Sequence, residues 1–283
     1  MSFIYANITQ RSYSYLPRFR AGAIALFFAI VSSVGFSSLS VASDAPAIAA
    51  AANIKFAVDE IAIRFQQQTG LALRISYGSS GNFVTQIQHG APFEMMLSAD
   101  EDYIERLHQA GFTQNDGVVY AIGRLALAAP KKSPLILDPE LVGLAQLIAD
   151  GKVSRFAIAN PDHAPYGERA REVLKAKGLW DALQPKLILG ENASQAAQFT
   201  ISGSTQGGIV PLSLVLSPEF TKRGNYVVIP DSLYQPLNQR MALMPNASET
   251  AERFYQYMQS TDAQEVLTQF GFNLPKPAVK KAD

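Results

Sequence analysis

The amino-acid sequence predicts an α/β protein with largely parallel sheets and a cleft shared between two domains. Three observations carry this. Apolar runs with strand character alternate with helix-period segments from residue 47 onward. Small polar or aromatic residues recur where such a strand stops and a helix starts, at Asn53, Ser80, Tyr166 and Asn192-Ala193, and these junctions are spread over both halves of the chain. With 283 residues, 48% of them hydrophobic, the chain is long enough for two modest cores. Ligands of open α/β sheets lie beyond the carboxyl ends of the strands, so four such junctions point to one shared cleft.

The elements follow in order. Residues 47–52 are a short apolar strand. From Ile54, apolar residues recur every three or four positions through Phe65, an amphipathic helix that Gly70 ends. Leu71, Leu73, Ile75 and Tyr77 alternate with more polar residues, a strand. A helix opens over 79–82 and ends at Gly90, a third strand covers 93–98, and another helix starts at Ala99-Asp100. Residues 117–130 read as one long strand or crossing segment. Beyond it come a helix over 141–148, a strand over 156–159, a turn at Asn160-Pro161, a helix over 168–177, a strand over 187–189 and a helix over 194–201. Strands follow over 207–210, 226–230 and 239–244, then helices over 250–260 and 262–270. The tail from Pro275 is rich in Pro, Lys and Ala and is expected to fray.

The first residues have a different character. Arg11, Arg18 and Arg20 precede an uncharged apolar run over 21–31, and small residues follow to Val41-Ala42-Ser43. These are the three parts of a secretory signal peptide, assigned to residues 1–43; an uncleaved anchor is the alternative. Removing them takes away three arginines and no acid, leaving 21 basic against 24 acidic residues. That balance gives no footprint for nucleic acid. The absence of cysteine excludes disulfides, iron–sulfur clusters and thiolate-bound zinc, and the three histidines are scattered.

The junctions carry the chemistry. A small polar residue at a helix start caps it, and the free N–H groups behind it, with the positive end of the helix dipole, favour an anion. Two such ends brought together grip an oxyanion without lysine or arginine. Each has a plainer reading: Asn53 and the Asn192 region as ordinary caps, Gly78-Ser79-Ser80-Gly81 as a tight turn, Tyr166 as a packed tyrosine. Ser80 lacks the second glycine of a Gly-x-Ser-x-Gly elbow, because Asn82 stands there, and no histidine has an obvious claim as its base. Organic acids commonly need an arginine clamp; Arg74, Arg155 and Arg169 are near enough in sequence to keep that class open, and Lys131-Lys132 reads as a solvated pair.

Taken in order, Ala50-Ala51-Ala52-Asn53, Tyr77-Gly78-Ser79-Ser80-Gly81, Gly90-Ala91-Pro92-Phe93 with Leu97-Ser98-Ala99-Asp100, Asn160-Pro161-Asp162-His163-Ala164-Pro165-Tyr166-Gly167, Gly190-Glu191-Asn192 and Gln269-Phe270-Gly271-Phe272 resemble the periplasmic molybdate-binding proteins of molybdate ABC transporters, from about Ala47 to Pro275. The resemblance implies a two-lobed type II periplasmic-binding-protein fold, with lobe I from 44–122 and 236–283 and lobe II from 123–235. It implies a tetrahedral molybdate or tungstate between the lobes, bound by Ala52, Asn53 and Ser80 from one side and Tyr166 and Ala193 from the other. Molybdenum enters only as that oxyanion; no catalytic residue and no cofactor is implied. The expected partner is a membrane permease, and the chain is expected to act as a periplasmic monomer. One branch of the family uses a tyrosine hydroxyl from the strand that here reads Gly208-Ile209-Val210-Pro211; Pro211 has no hydroxyl, so that contact is missing or replaced. The alternatives are a receptor for another oxyanion or small organic acid, a hydrolase, and an envelope domain without a ligand.

Overall fold

The computed structural model describes residues 45–276; the leader assigned to 1–43 and most of the tail lie outside the described residues. The elements are β1 (Ala47–Ala51), α1 (Lys55–Thr69), β2 (Arg74–Gly78), α2 (Ser80–Gln88), β3 (Met95–Leu97), α3 (Glu101–Gln109), β4 (Val118–Gly123), β5 (Leu125–Pro130), α4 (Val142–Ala149), β6 (Phe156–Ala159), α5 (Pro165–Ala176), α6 (Trp180–Leu183), β7 (Leu187–Gly190), α7 (Ala193–Ile201), β8 (Gly207–Pro211), α8 (Leu212–Val215), α9 (Pro218–Arg223), β9 (Gly224–Val228), β10 (Leu237–Leu243), α10 (Glu249–Tyr257) and α11 (Thr261–Gln269).

They form two five-stranded sheets, one in the order β2-β1-β3-β10-β4 and one in the order β7-β6-β8-β5-β9. The strand–helix–strand units give parallel pairs: β1 with β2 and β3, and β6 with β7 and β8. The other pairs are antiparallel: β10 with β3 and β4, and β5 with β8 and β9. The sheets are therefore mixed rather than largely parallel. The antiparallel members flank the places where the chain passes from one sheet to the other, and a returning strand need not point the same way as the βαβ strands it joins.

The apolar character of β1 follows from its place. It is central, and helices cover both of its faces. Ile48 and Ala50 join a core with α1, α10 and α11, while Ala49 joins one with α2 and α3. In the first of these cores Phe65 stands edge-on to Phe254 at 5.3 Å between ring centres. The second sheet packs its own core around β5, β6 and β8, with α5 and α7 against it. Gly70 closes α1 in the left-handed region at φ +73°, as its place after the helix pattern predicts.

Two boundaries differ from the pattern reading. The apolar run over 117–130 is two strands in different sheets, separated by Arg124 alone. Periodicity reports which residues are buried and not which sheet buries them. Helix α5 begins at Pro165 rather than Glu168. Proline at the first helical position lacks only an N–H that would be unpaired there, and its φ is already helical. The second passage between sheets, after β9, is tied to the first: Leu125 donates its N–H to the Tyr234 hydroxyl at 3.2 Å, and that hydroxyl donates to Asp231 at 2.8 Å.

Candidate functional site

Five strand-to-helix junctions meet at one small, narrow cleft. It is lined by Ala51–Asn53 at the end of β1, Gly78–Ser80 after β2, Ala99 after β3, Ala164–Tyr166 at the start of α5 and Ala193 at the start of α7. Ala52, Asn53, Ser80, Tyr166 and Ala193 thus share one cleft, and each is buried. None of the lining residues carries a charged side chain.

The junctions cap their helices in different ways. Ser79 caps α2, accepting from the Asn82 N–H at 3.4 Å, so Ser80 is the first helical residue rather than the cap. The Ser80 hydroxyl oxygen accepts the Ala99 N–H at 3.0 Å, which leaves its own hydrogen free to donate. Asn192 caps α7 by accepting from the Gln195 N–H at 3.1 Å. Ala164 precedes α5 and has no side-chain cap. First-turn N–H groups have no acceptor within their own helix, so those of Ser80, Tyr166 and Ala193 are donors at the cleft.

Asn53 corrects the expectation most clearly. It caps nothing: β1 runs into a 3-10 turn, Ala52–Ile54, whose cap position is Ala51 without a side-chain bond. Its amide nitrogen instead donates to the Tyr166 hydroxyl at 3.3 Å and to Gln239 Oε1 at 3.0 Å, while Oδ1 has no partner. Gln239 Nε2 donates to the same Tyr166 hydroxyl at 3.0 Å, and the Tyr120 hydroxyl donates to Gln239 Oε1 at 3.0 Å. Burial, the largest influence, raises the pKa of both tyrosines, so both hydroxyls are neutral. A β-carbon at Gly123 would meet Tyr166 Oη at 2.2 Å and Gln239 Nε2 at 2.6 Å; the passage between sheets needs glycine to let this network close.

Sequence reasoning passed over Gln239 and Tyr120. A signal existed for Gln239. In β10 the inward positions are Leu237, Gln239 and Met241, all buried, and a glutamine at an inward position of an apolar strand is a buried polar group that needs partners.

Polar contacts ring the cleft and join residues of the two sheets. Ser194 Oγ donates to the Ala52 carbonyl at 2.9 Å, and Ser213 Oγ to the Asn53 carbonyl at 2.7 Å. The Gly81 N–H donates to the His163 carbonyl at 3.0 Å, and Asn82 Nδ2 to Glu191 at 2.6 Å. The His163 ring is 3.0 Å from Ser79 Oγ, not on Ser80, so Ser80 has no imidazole base. Arg169 pairs with Asp100 at 2.7 Å and Glu172 at 2.6 Å. Burial raises the Asp100 pKa in spite of Arg169, whereas on Arg169 the carboxylates Asp100, Glu172 and Glu168 outweigh burial and hold it charged. Its guanidinium is thus committed to carboxylates, while Arg74, Arg155, Lys131 and Lys132 are exposed and line no part of the cleft. Pro211 pairs with Leu125 in the second sheet and does not line the cleft.

Comparison with known proteins gives this geometry its context. Residues 47–273 match the bacterial extracellular solute-binding proteins. The chain belongs to that family. It is a solute-binding protein and not an enzyme. It is 32% identical over 256 residues to the molybdate-binding protein ModA of Rhodobacter capsulatus, covering 89% of this chain and 96% of that one. It is 32% identical over 250 residues to ModA of Azotobacter vinelandii, covering 87% and 97%. The solved Azotobacter vinelandii periplasmic molybdate-binding protein superposes with a TM-score of 0.74 at 31% identity, over 82% of this chain and all of that one. Members of this extracellular family work outside the cytoplasm, and among the described residues no helix is long and apolar enough to cross a membrane.

Proposed function

We propose that the chain captures molybdate or tungstate in this cleft through uncharged N–H and O–H donors and delivers it, outside the cytoplasmic membrane, to an ABC permease. The observation that carries the reading is the convergence of helix starts on a cleft whose lining has donors but no charged side chain. The relatives' names supply the oxyanion. Ala52, Asn53 and Ser80 bind from the first-sheet side, and Tyr166 and Ala193 from the second.

The physics is that of an anion moved out of water. A dianion is costly to desolvate unless each oxygen regains its donors. Hydrogen bonds to an ionised acceptor are the stronger class, and the positive ends of α2, α5 and α7 add to them. Fixed donors also set a size. Molybdate and tungstate are close in size and sulfate is smaller, so a cavity built for the larger ions leaves sulfate's bonds stretched. The contacts between the two sheets around the cleft form on closure, which couples capture to the shape offered to the permease. In this reading the lobes are 44–122 with 236–283, and 123–235.

Calorimetric titration of the mature chain with molybdate, tungstate, sulfate and phosphate tests it. Tight 1:1 binding of the first two is expected, with sulfate at least a thousandfold (about 4 kcal/mol) weaker. Binding of sulfate or phosphate in preference to molybdate would move the reading to another oxyanion.

A further inference from the structure

We infer that Gln239 is the positioning residue of the cleft, and that it reverses its amide together with Asn53 to turn an acceptor into a donor when the anion enters. The inference rests on the oxyanion reading above. As placed, both hydrogens of Asn53 Nδ2 are spent, on Tyr166 and on Gln239, and the amide atom left over is Oδ1, buried and without a partner. An unpaired buried carbonyl is unfavourable in itself, and beside a dianion it is repelled. A donor-only cleft needs the amide the other way round.

Asn53 cannot reverse alone. Its Oδ1 would then face Gln239 Oε1 across the 3.0 Å that Nδ2 now spans, acceptor against acceptor. If Gln239 reverses as well, that clash is removed. Gln239 Nε2 donates to Asn53 Oδ1 and to the Tyr120 hydroxyl. Tyr120 donates to the Ser98 carbonyl, already 3.3 Å from it. Tyr166 shares its one hydrogen between Gln239 Oε1 and Asn53 Oδ1, at the 3.0 and 3.3 Å that the two amide nitrogens now span; in the present arrangement its oxygen accepts from both amides and its own hydrogen has no acceptor within the network. The two hydrogens of Asn53 Nδ2 are then free for the anion. Each half-turn exchanges amide atoms of nearly equal size, so the reversal needs no repacking in a site where both residues are almost completely buried. Gln239 touches Asn53 from the first-sheet side and Tyr166 from the second, so the reversal also registers closure.

The test is a double-mutant cycle on molybdate affinity, run once the wild-type chain has been shown to bind. Gln239→Met keeps the volume and removes the amide; it should weaken binding about tenfold, and less than about twofold in an Asn53→Ala background, because the two act as one unit. Equal losses in both backgrounds, or no loss in either, would overturn the inference while leaving the oxyanion reading intact. Failure of the wild-type chain to bind any oxyanion would instead remove the reading on which the inference rests. A measurement that needs no variant keeps it testable should Gln239→Met fold poorly: the side-chain NH₂ resonances of Asn53 and Gln239 in ¹⁵N-labelled protein should both shift on adding molybdate. A Gln239 pair that stays in place while Asn53 moves would contradict the coupled reversal.

Discussion

The start of α4 and the starts of the helices around the cleft face the same electrostatic problem and resolve it in opposite ways. At α4 the chain supplies its own anion. Asp138 accepts from the N–H groups of Glu140 and Val142 at 3.0 Å each and of Gly143 at 2.7 Å, and Leu141, held in the left-handed region at φ +61°, shapes the turn that aims them. Burial pushes the Asp138 pKa up, but those three N–H groups and the Lys177 charge outweigh it and leave it below the ordinary carboxylate value. Around the cleft, α3 beyond Ala99 is likewise capped by a carboxylate, Asp100, but α2, α5 and α7 are preceded by Ser79, Ala164 and Asn192, none of them charged. A helix start that carries its own carboxylate is complete. One that carries a neutral residue keeps its donors for an anion from outside.

The comparison can be broken most severely by giving the cleft what α4 already has. Ser80→Asp places a carboxylate among the cleft donors and should weaken molybdate binding by at least a thousandfold (about 4 kcal/mol) in a calorimetric titration, because like charge replaces a donor. The reverse change, Asp138→Ala, removes the internal anion. It should lower stability in urea unfolding by about 2 kcal/mol, the upper range for losing a cap, and leave molybdate affinity within about twofold. Ser80→Ala is the milder probe of the cleft, expected to weaken binding at least tenfold (about 1.4 kcal/mol) without an added charge; an unchanged affinity would remove Ser80 from the site.

The smallest effect is in pH. A carboxylate whose folded pKa is lowered adds stability above its unfolded value, near 3.8, and that stability is lost as pH falls through the folded value. Acid unfolding of Asp138→Asn should therefore depend less steeply on pH below about 4 than that of the wild-type chain.

The cleft was legible where its signals are local. Ser80, Tyr166 and Ala193 each stand at a strand end followed by a helix, and that order is written in adjacent residues. Asn53 was legible as a position but not in its role, because its partners Tyr166 and Gln239 are 113 and 186 residues away. Gln239 was missed for the same reason: it reaches Asn53 and Tyr166, behind the cleft lining, from a strand that returns antiparallel after the whole second sheet has formed. The switch of sheets at Arg124 left no trace in hydrophobic period, since both flanking strands have buried cores.

The central claim is that uncharged groups alone hold the anion, and a crystal structure of the molybdate complex tests it most directly. The expected result is an anion among the N–H groups of Ser80, Tyr166 and Ala193, the Ser80 hydroxyl and the Asn53 amide, with no lysine or arginine within the roughly 4 Å of an ion pair. A cationic side chain on the anion, or an anion bound outside this cleft, would contradict it.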